Sequence, residues 1–233
     1  TMAPTPVPPP ATSTTRLESG DRLTRAEFER RYAAAKDVHR AELVEGVVYV
    51  ASPVRFDRHS EPEQRLAHLL RSYVTGVPQL RSGNNPTVRL DADNEVQPDL
   101  MMMIPEELGG QCRLDASYYL EGAPELVIEI AASSVSYDLH DKRNAYRRNG
   151  VREYVVWRTE DRAIDWFVLR EGAFERLALD RDHTYRSEMF PGLWLDTTAL
   201  IVGDYSNGND GLVSKDASSI EELEGETVHL VEL

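Results

Sequence analysis

Two hydrophobic rhythms alternate along the chain. Leu66, Leu69, Leu70 and Tyr73 recur at three-and-four spacing, the stripe of one helix face. Gly76 and Pro78 end that helix, and Ser60 with Glu63 is spaced as a capping box ahead of it, with Pro62 in the first turn. An earlier helix is predicted over RAEFERRYAAA. Thr24 would cap it with Glu27 three residues on, and Leu23 and Phe28 are placed for a hydrophobic staple. A third helix runs over about 137–149 and stops at Gly150. Between these lie β-branched runs: Glu42 to Val50 turning at Gly46, then PTVRLD, QPDLMMMI, PELVIEIAA and EYVVW. A hairpin IDWFVLR–EGA–FERLAL with Gly172 in its turn follows, and FPGLWLD closes the series. Strands dominate the middle, with helices before and between, so the fold class is α/β or α+β with a mixed sheet.

Outside that body the rhythm is lost. Residues 1–20 are rich in Pro, Thr and Ser and read as a disordered leader; residues 21–203 form the domain. Residues 204–233 form an acidic, flexible tail in which Val228, Leu230, Val231 and Leu233 could dock as a strand. No stretch approaches the roughly 18 apolar residues of a membrane span, and the first residues carry no apolar core of a secretory signal. The lone Cys112 excludes an intrachain disulfide, a four-cysteine zinc site and a CxxC pair, and fits a reducing, cytoplasmic setting. Net charge is −14, which argues against loose charge-driven binding of nucleic acid. Half of that excess sits in the tail, however, where eight acids face only Lys215. The body is only mildly acidic, and Arg143, Arg147 and Arg148 give its third helix a local basic patch.

One residue breaks the apolar run Leu126–Ala131: Glu129. Either the strand is one-sided and Glu129 faces water, or it is buried, and an unpaired buried carboxylate is costly enough to demand a cation or metal beside it. Asp99 follows Pro98 at the entrance of LMMMI. Alone it reads as a turn residue; beside Glu129 on a neighbouring strand it makes an oxygen-ligand site suited to Mg²⁺ or Mn²⁺. Lys142 lies four residues after Asp138, with Tyr146 a turn further. The three form an exposed helix row, or Lys142 points at the carboxylates. His59, just ahead of Ser60, is structural or faces the same site. Phosphate-loop, dinucleotide, HExxH and GxSxG signatures are absent.

The order E-L-x-E-G at Glu42–Gly46, His59 before a helix, Pro98–Asp99, the run Ala123–Ile130, the long motif Asp138–Tyr154 and FPGLWLD at Phe190–Asp196 resembles the Uma2 family. This is the DUF820, restriction-endonuclease-like group within the PD-(D/E)XK nuclease superfamily, and the likeness covers roughly 22–203. It implies an α/β restriction-endonuclease-like core, a mixed central β-sheet flanked by helices, with Asp99, Glu129 and Glu42 as metal ligands, Lys142 as the catalytic lysine and His59 as a site-side histidine. The general superfamily places its lysine two residues after the second acid. Ala131 stands there, and Lys142 on the next helix fits the family's relocated lysine. Many members read L-S-P-S after the glutamate, where this chain has Ala131-Ala132-Ser133-Ser134. The implied activity is metal-dependent endonucleolytic hydrolysis of DNA rather than RNA, with the helix arginines on flanking phosphates and homodimers cutting both strands. A non-catalytic nuclease-fold module that associates with DNA or an assembly, and a different hydrolase using paired carboxylates, stand as alternatives.

Overall fold

The computed structural model describes residues 16–51, 55–132, 137–202 and 212–214. In chain order its elements are α1 (Arg25–Ala34), β1 (Ala41–Val44), β2 (Val47–Val50), α2 (Glu61–Gly76), β3 (Arg81–Asn84), β4 (Val88–Arg89), β5 (Glu95–Val96), β6 (Leu100–Met103), β7 (Arg113–Leu114), β8 (Leu120–Glu121) and β9 (Leu126–Ala131). There follow α3 (Arg143–Arg148), β10 (Glu153–Arg158), β11 (Ala163–Arg170), β12 (Ala173–Arg176), β13 (Thr184–Arg186), β14 (Leu193–Asp196), α4 (Thr197–Val202) and β15 (Leu212–Ser214).

The strands divide among three sheets rather than one. The central sheet runs β12-β11-β10-β9-β6-β3, a second runs β2-β1-β5-β4-β8-β7, and β13-β14-β15 form a small third. Within the central sheet β9 and β10 are parallel, as the long connection through α3 requires, and the other pairs are antiparallel. This is a mixed sheet with both faces covered. On one face Leu100, Met102, Leu126, Ile128 and Ile130 pack against Leu66, Leu69, Leu70 and Tyr73 of α2. On the other, Met101, Met103, Val127 and Ala131 pack against Tyr146 of α3 and Val88 and Val96 of the second sheet. Two covered faces explain why every residue of β9 is buried and why it reads as an unbroken apolar run.

Thr24 caps α1, its hydroxyl accepting the Glu27 N–H at 3.4 Å. The β1–β2 hairpin turns through Glu45 (φ 52°) and Gly46 (φ 73°), a pair of left-handed residues that suits a two-residue loop. Leu17, inside the expected leader, is 2% exposed and packs with Phe28 and Leu43, so ordered packing starts earlier than residue 21. In the expected tail, β15 pairs with β14; Val228, Leu230, Val231 and Leu233 lie outside the described residues, as do residues 1–15.

The expected capping box at Ser60 does not form. Ser60 has helical torsions (φ −65°, ψ −43°) and no side-chain cap, and a π-helical turn over Phe56–Ser60 extends α2 backwards. Proline chemistry accounts for it. Pro62 has no N–H to give the Arg58 carbonyl four residues earlier, and that carbonyl accepts the Thr159 hydroxyl instead, at 2.8 Å. The widened turn brings His59 onto the helix.

Candidate active site

β6 and β9 are antiparallel with Leu100 opposite Ile128. The same register carried one residue further sets Asp99 opposite Glu129, on the face shared with Met101 and Val127. Two carboxylates directly opposed across a strand pair repel. Both are buried, Asp99 at 3% and Glu129 at 2% exposure, which makes compensation obligatory.

The compensation comes from three other elements. Lys142, in the π-helical turn Asp138–Lys142 that opens α3, places Nζ 2.9 Å from Glu129 Oε1 and 2.9 Å from Glu42 Oε2 of β1. Asp138 Oδ1 lies 3.9 Å from the same ammonium. The Tyr146 hydroxyl donates to Glu129 Oε1 at 2.8 Å. Asp99 is held differently: Oδ2 accepts the Ile130 N–H at 2.8 Å and lies 3.3 Å from His59 Nε2, while Oδ1 lies 3.1 Å from Arg40 Nη1. Arg40 also donates to the Gln97 carbonyl, which fixes it beside the strand. Asp99, Glu129, Lys142, Glu42 and His59 therefore all reach one cleft of about 540 Å³.

These neighbours tune the ionisable groups. Burial alone would raise Asp99, but the His59 hydrogen bond and the His59, Arg40 and Lys142 charges outweigh it and hold the carboxyl at about 2. Burial alone would lower Lys142; Glu129, Glu42 and Asp138 reverse that, so the ammonium stays charged. Burial pushes Glu129 up, opposed by Lys142 and reinforced by Asp99, Asp138 and Glu42. His59 is more basic than usual: desolvation is outweighed by Asp99 and Glu63.

Three features differ from the sequence reading. Glu42 is committed to the lysine and to the Gln97 N–H (2.7 Å) rather than to a three-carboxylate cluster. The α3 arginines point elsewhere: Arg143 lies over the Phe167 ring, Arg147 donates to the Gly172 carbonyl, and Arg148 pairs with Glu45 and Asp91. Arg40 and the part played by Tyr146 were missed. Spacing to Lys142 pointed to Tyr146, whereas nothing local marks Arg40, a lone arginine ahead of β1.

The family profile described as "Uma2: Putative restriction endonuclease" matches residues 25–198. The chain belongs to the Uma2 family. All five Uma2-suggested site residues fall inside the matched span. A solved chain described as "a putative nuclease belonging to DUF820", from Anabaena variabilis ATCC 29413, is 16% identical and superimposes with a TM-score of 0.57. The match covers 77% of this chain and 98% of that one, a likeness of fold. No curated protein matches the sequence.

The Uma2 site suits a divalent cation in its chemistry. Four buried acids (Glu42, Asp99, Glu129, Asp138) face Arg40, Lys142 and His59, an anionic surplus built from hard oxygen donors. Among the described residues, however, no three acidic or imidazole groups converge as a ready-made metal cage. The opposed pair Asp99–Glu129 is the part that fits.

Proposed function

We propose that this Uma2 protein is a divalent-cation-dependent nuclease that hydrolyses phosphodiester bonds, in DNA rather than RNA. The observation that carries the reading is the cross-strand carboxylate pair Asp99–Glu129 with the Lys142 ammonium 2.9 Å from Glu129. Asp99 and Glu129 would hold Mg²⁺ or Mn²⁺; when bound, the cation stabilises charge on the scissile phosphate and makes an attacking water more acidic. Lys142 stays protonated, offsets negative charge growing on the phosphoryl oxygens and orients water. Glu42 and Tyr146 fix the partners of that lysine, while Arg40 and His59 keep Asp99 ionised and pointed. Duplex scission would use a homodimer, one copy per strand.

The buried thiol of Cys112 is pushed up to about 12 by burial and by Glu125, which makes it a poor nucleophile and leaves it outside the proposed chemistry. No described helix is long and apolar enough to cross a membrane.

Plasmid cleavage with Mg²⁺ or Mn²⁺ tests the reading. Wild type is expected to nick or linearise, and Asp99→Ala and Glu129→Ala to lose the activity; equal behaviour of all three would remove the site. One observation favours a second reading, a nuclease-fold module without turnover: both oxygens of Asp99 are already held by the chain's own groups. Mn²⁺ binding by wild type but not by Glu129→Ala would argue against that module.

A further inference from the structure

We propose that the turn opening α2 is the rim on which the nucleic-acid backbone rests. Arg55 and Arg58 receive phosphates flanking the cut, and Glu160 holds Arg58 in the place of a phosphate until a strand arrives. The inference rests on the nuclease reading above and names where its substrate lies.

An acidic floor repels a polyanion, so the substrate must be drawn in by cations at the mouth. The α3 arginines cannot serve, since each is engaged away from the cleft. Of the arginines that do line it, Arg40 is turned down onto Asp99. Arg55 and Arg58 remain. Arg55 is exposed and makes no ion pair with the described residues. Arg58, with 43% of its side chain exposed, pairs with Glu160, itself 50% exposed and on the cleft wall. A guanidinium fork meets a carboxylate and a phosphate with the same geometry. An exposed pair of this kind shifts an equilibrium by no more than about fivefold, so a strand carrying many phosphates displaces it with release of counterions.

The turn is a fixed pedestal for this exchange. The Arg58 carbonyl accepts the Thr159 hydroxyl, next to Glu160, so a side chain–backbone hydrogen bond holds the rim and its surrogate anion together besides the ion pair. Phe56, 72% exposed on the same turn, offers an aromatic face beside the two arginines, which suits a base and not a small phosphorylated metabolite.

Fluorescence anisotropy with end-labelled single-stranded and duplex oligodeoxynucleotides, without added divalent cation so that nothing is cut, tests the assignment on the full chain. Arg55→Ala and Arg58→Ala should each weaken binding about five- to tenfold near 0.1 M salt and lower the salt slope by about one. Glu160→Gln should tighten binding about two- to fivefold, by freeing Arg58. Arg147→Ala should bind as wild type. If wild type binds and the Arg55 and Arg58 variants bind equally well, or Glu160→Gln gives no gain, the rim is wrong while the nuclease reading stands. If wild type binds neither oligonucleotide, the rim is wrong, and plasmid cleavage with Mg²⁺ or Mn²⁺ decides the nuclease reading separately. Glu160→Gln also covers the case of an arginine variant that fails to fold, because it predicts a gain.

Discussion

Lys142 is the side chain on which the local energetics turn. It is 3% exposed and touches two buried glutamates, so removing it strands their charge. Lys142→Met is expected to destabilise the fold by about 3–5 kcal/mol in urea unfolding. The double variant Lys142→Met/Glu129→Gln should recover part of that loss, since one of the two stranded charges is gone while that of Glu42 remains. Tyr146→Phe removes one donor to Glu129 and should cost about 1–3 kcal/mol. A second acid pair, outside the cleft, adds a pH dependence of its own. Burial, then the Glu29 hydrogen bond and charge, pushes Glu95 to about 7. A carboxyl with a raised folded pKa keeps a proton that the unfolded chain releases. Stability should therefore fall as pH rises from about 4.5 to about 7, and Glu95→Gln should flatten that decline in a Tm-versus-pH series. Asp99 has the opposite sign. Its contribution is present above the ordinary value of 3.8 and is lost as pH falls toward about 2.

At the scale of elements, α2 shows where sequence patterning works and where it stops. Its apolar stripe is legible because Leu66, Leu69, Leu70 and Tyr73 all face the central sheet. Its start is not, because the Thr159 hydroxyl that replaces the missing Pro62 donor lies about a hundred residues away. Thr159→Val should lower stability by about 1 kcal/mol and loosen the Phe56–Ser60 turn, visible as faster amide exchange there. Short strands such as β3, β5, β7, β8 and β13 also escaped the reading, since two to four residues carry too little alternation to register. The lone-acid signal that exposed Glu129 is not specific to function. Glu153 opens the largely apolar strand β10 and is fully buried, yet it accepts bonds from Ser187 Oγ, Trp166 Nε1 and the N–H groups of Glu188 and Met189. Glu125 likewise accepts two N–H groups, from Ile104 and Gln111. A buried glutamate satisfied by neutral donors is a structural staple. One that needs a lysine is a candidate for chemistry.

For the whole molecule, the central sheet with its two covered faces is what assembles the site. β6 and β9 set Asp99 against Glu129, the second sheet lowers Glu42 onto the same point, and α3 closes it with Lys142. The five candidate residues were legible from the family motif and from one charged residue in an apolar run. Their mutual arrangement was not, because it depends on how two sheets stack. That is why Glu42, read as a metal ligand, emerges beside the lysine instead. We propose that Glu129 and Lys142 act together at the phosphodiester bond. The most direct test is the single-turnover cleavage rate of a labelled DNA at saturating Mn²⁺, comparing wild type with the charge-balanced Lys142→Met/Glu129→Gln variant. That variant should stay folded and lose at least about a hundred- to a thousandfold in rate; cleavage at the wild-type rate would contradict the account.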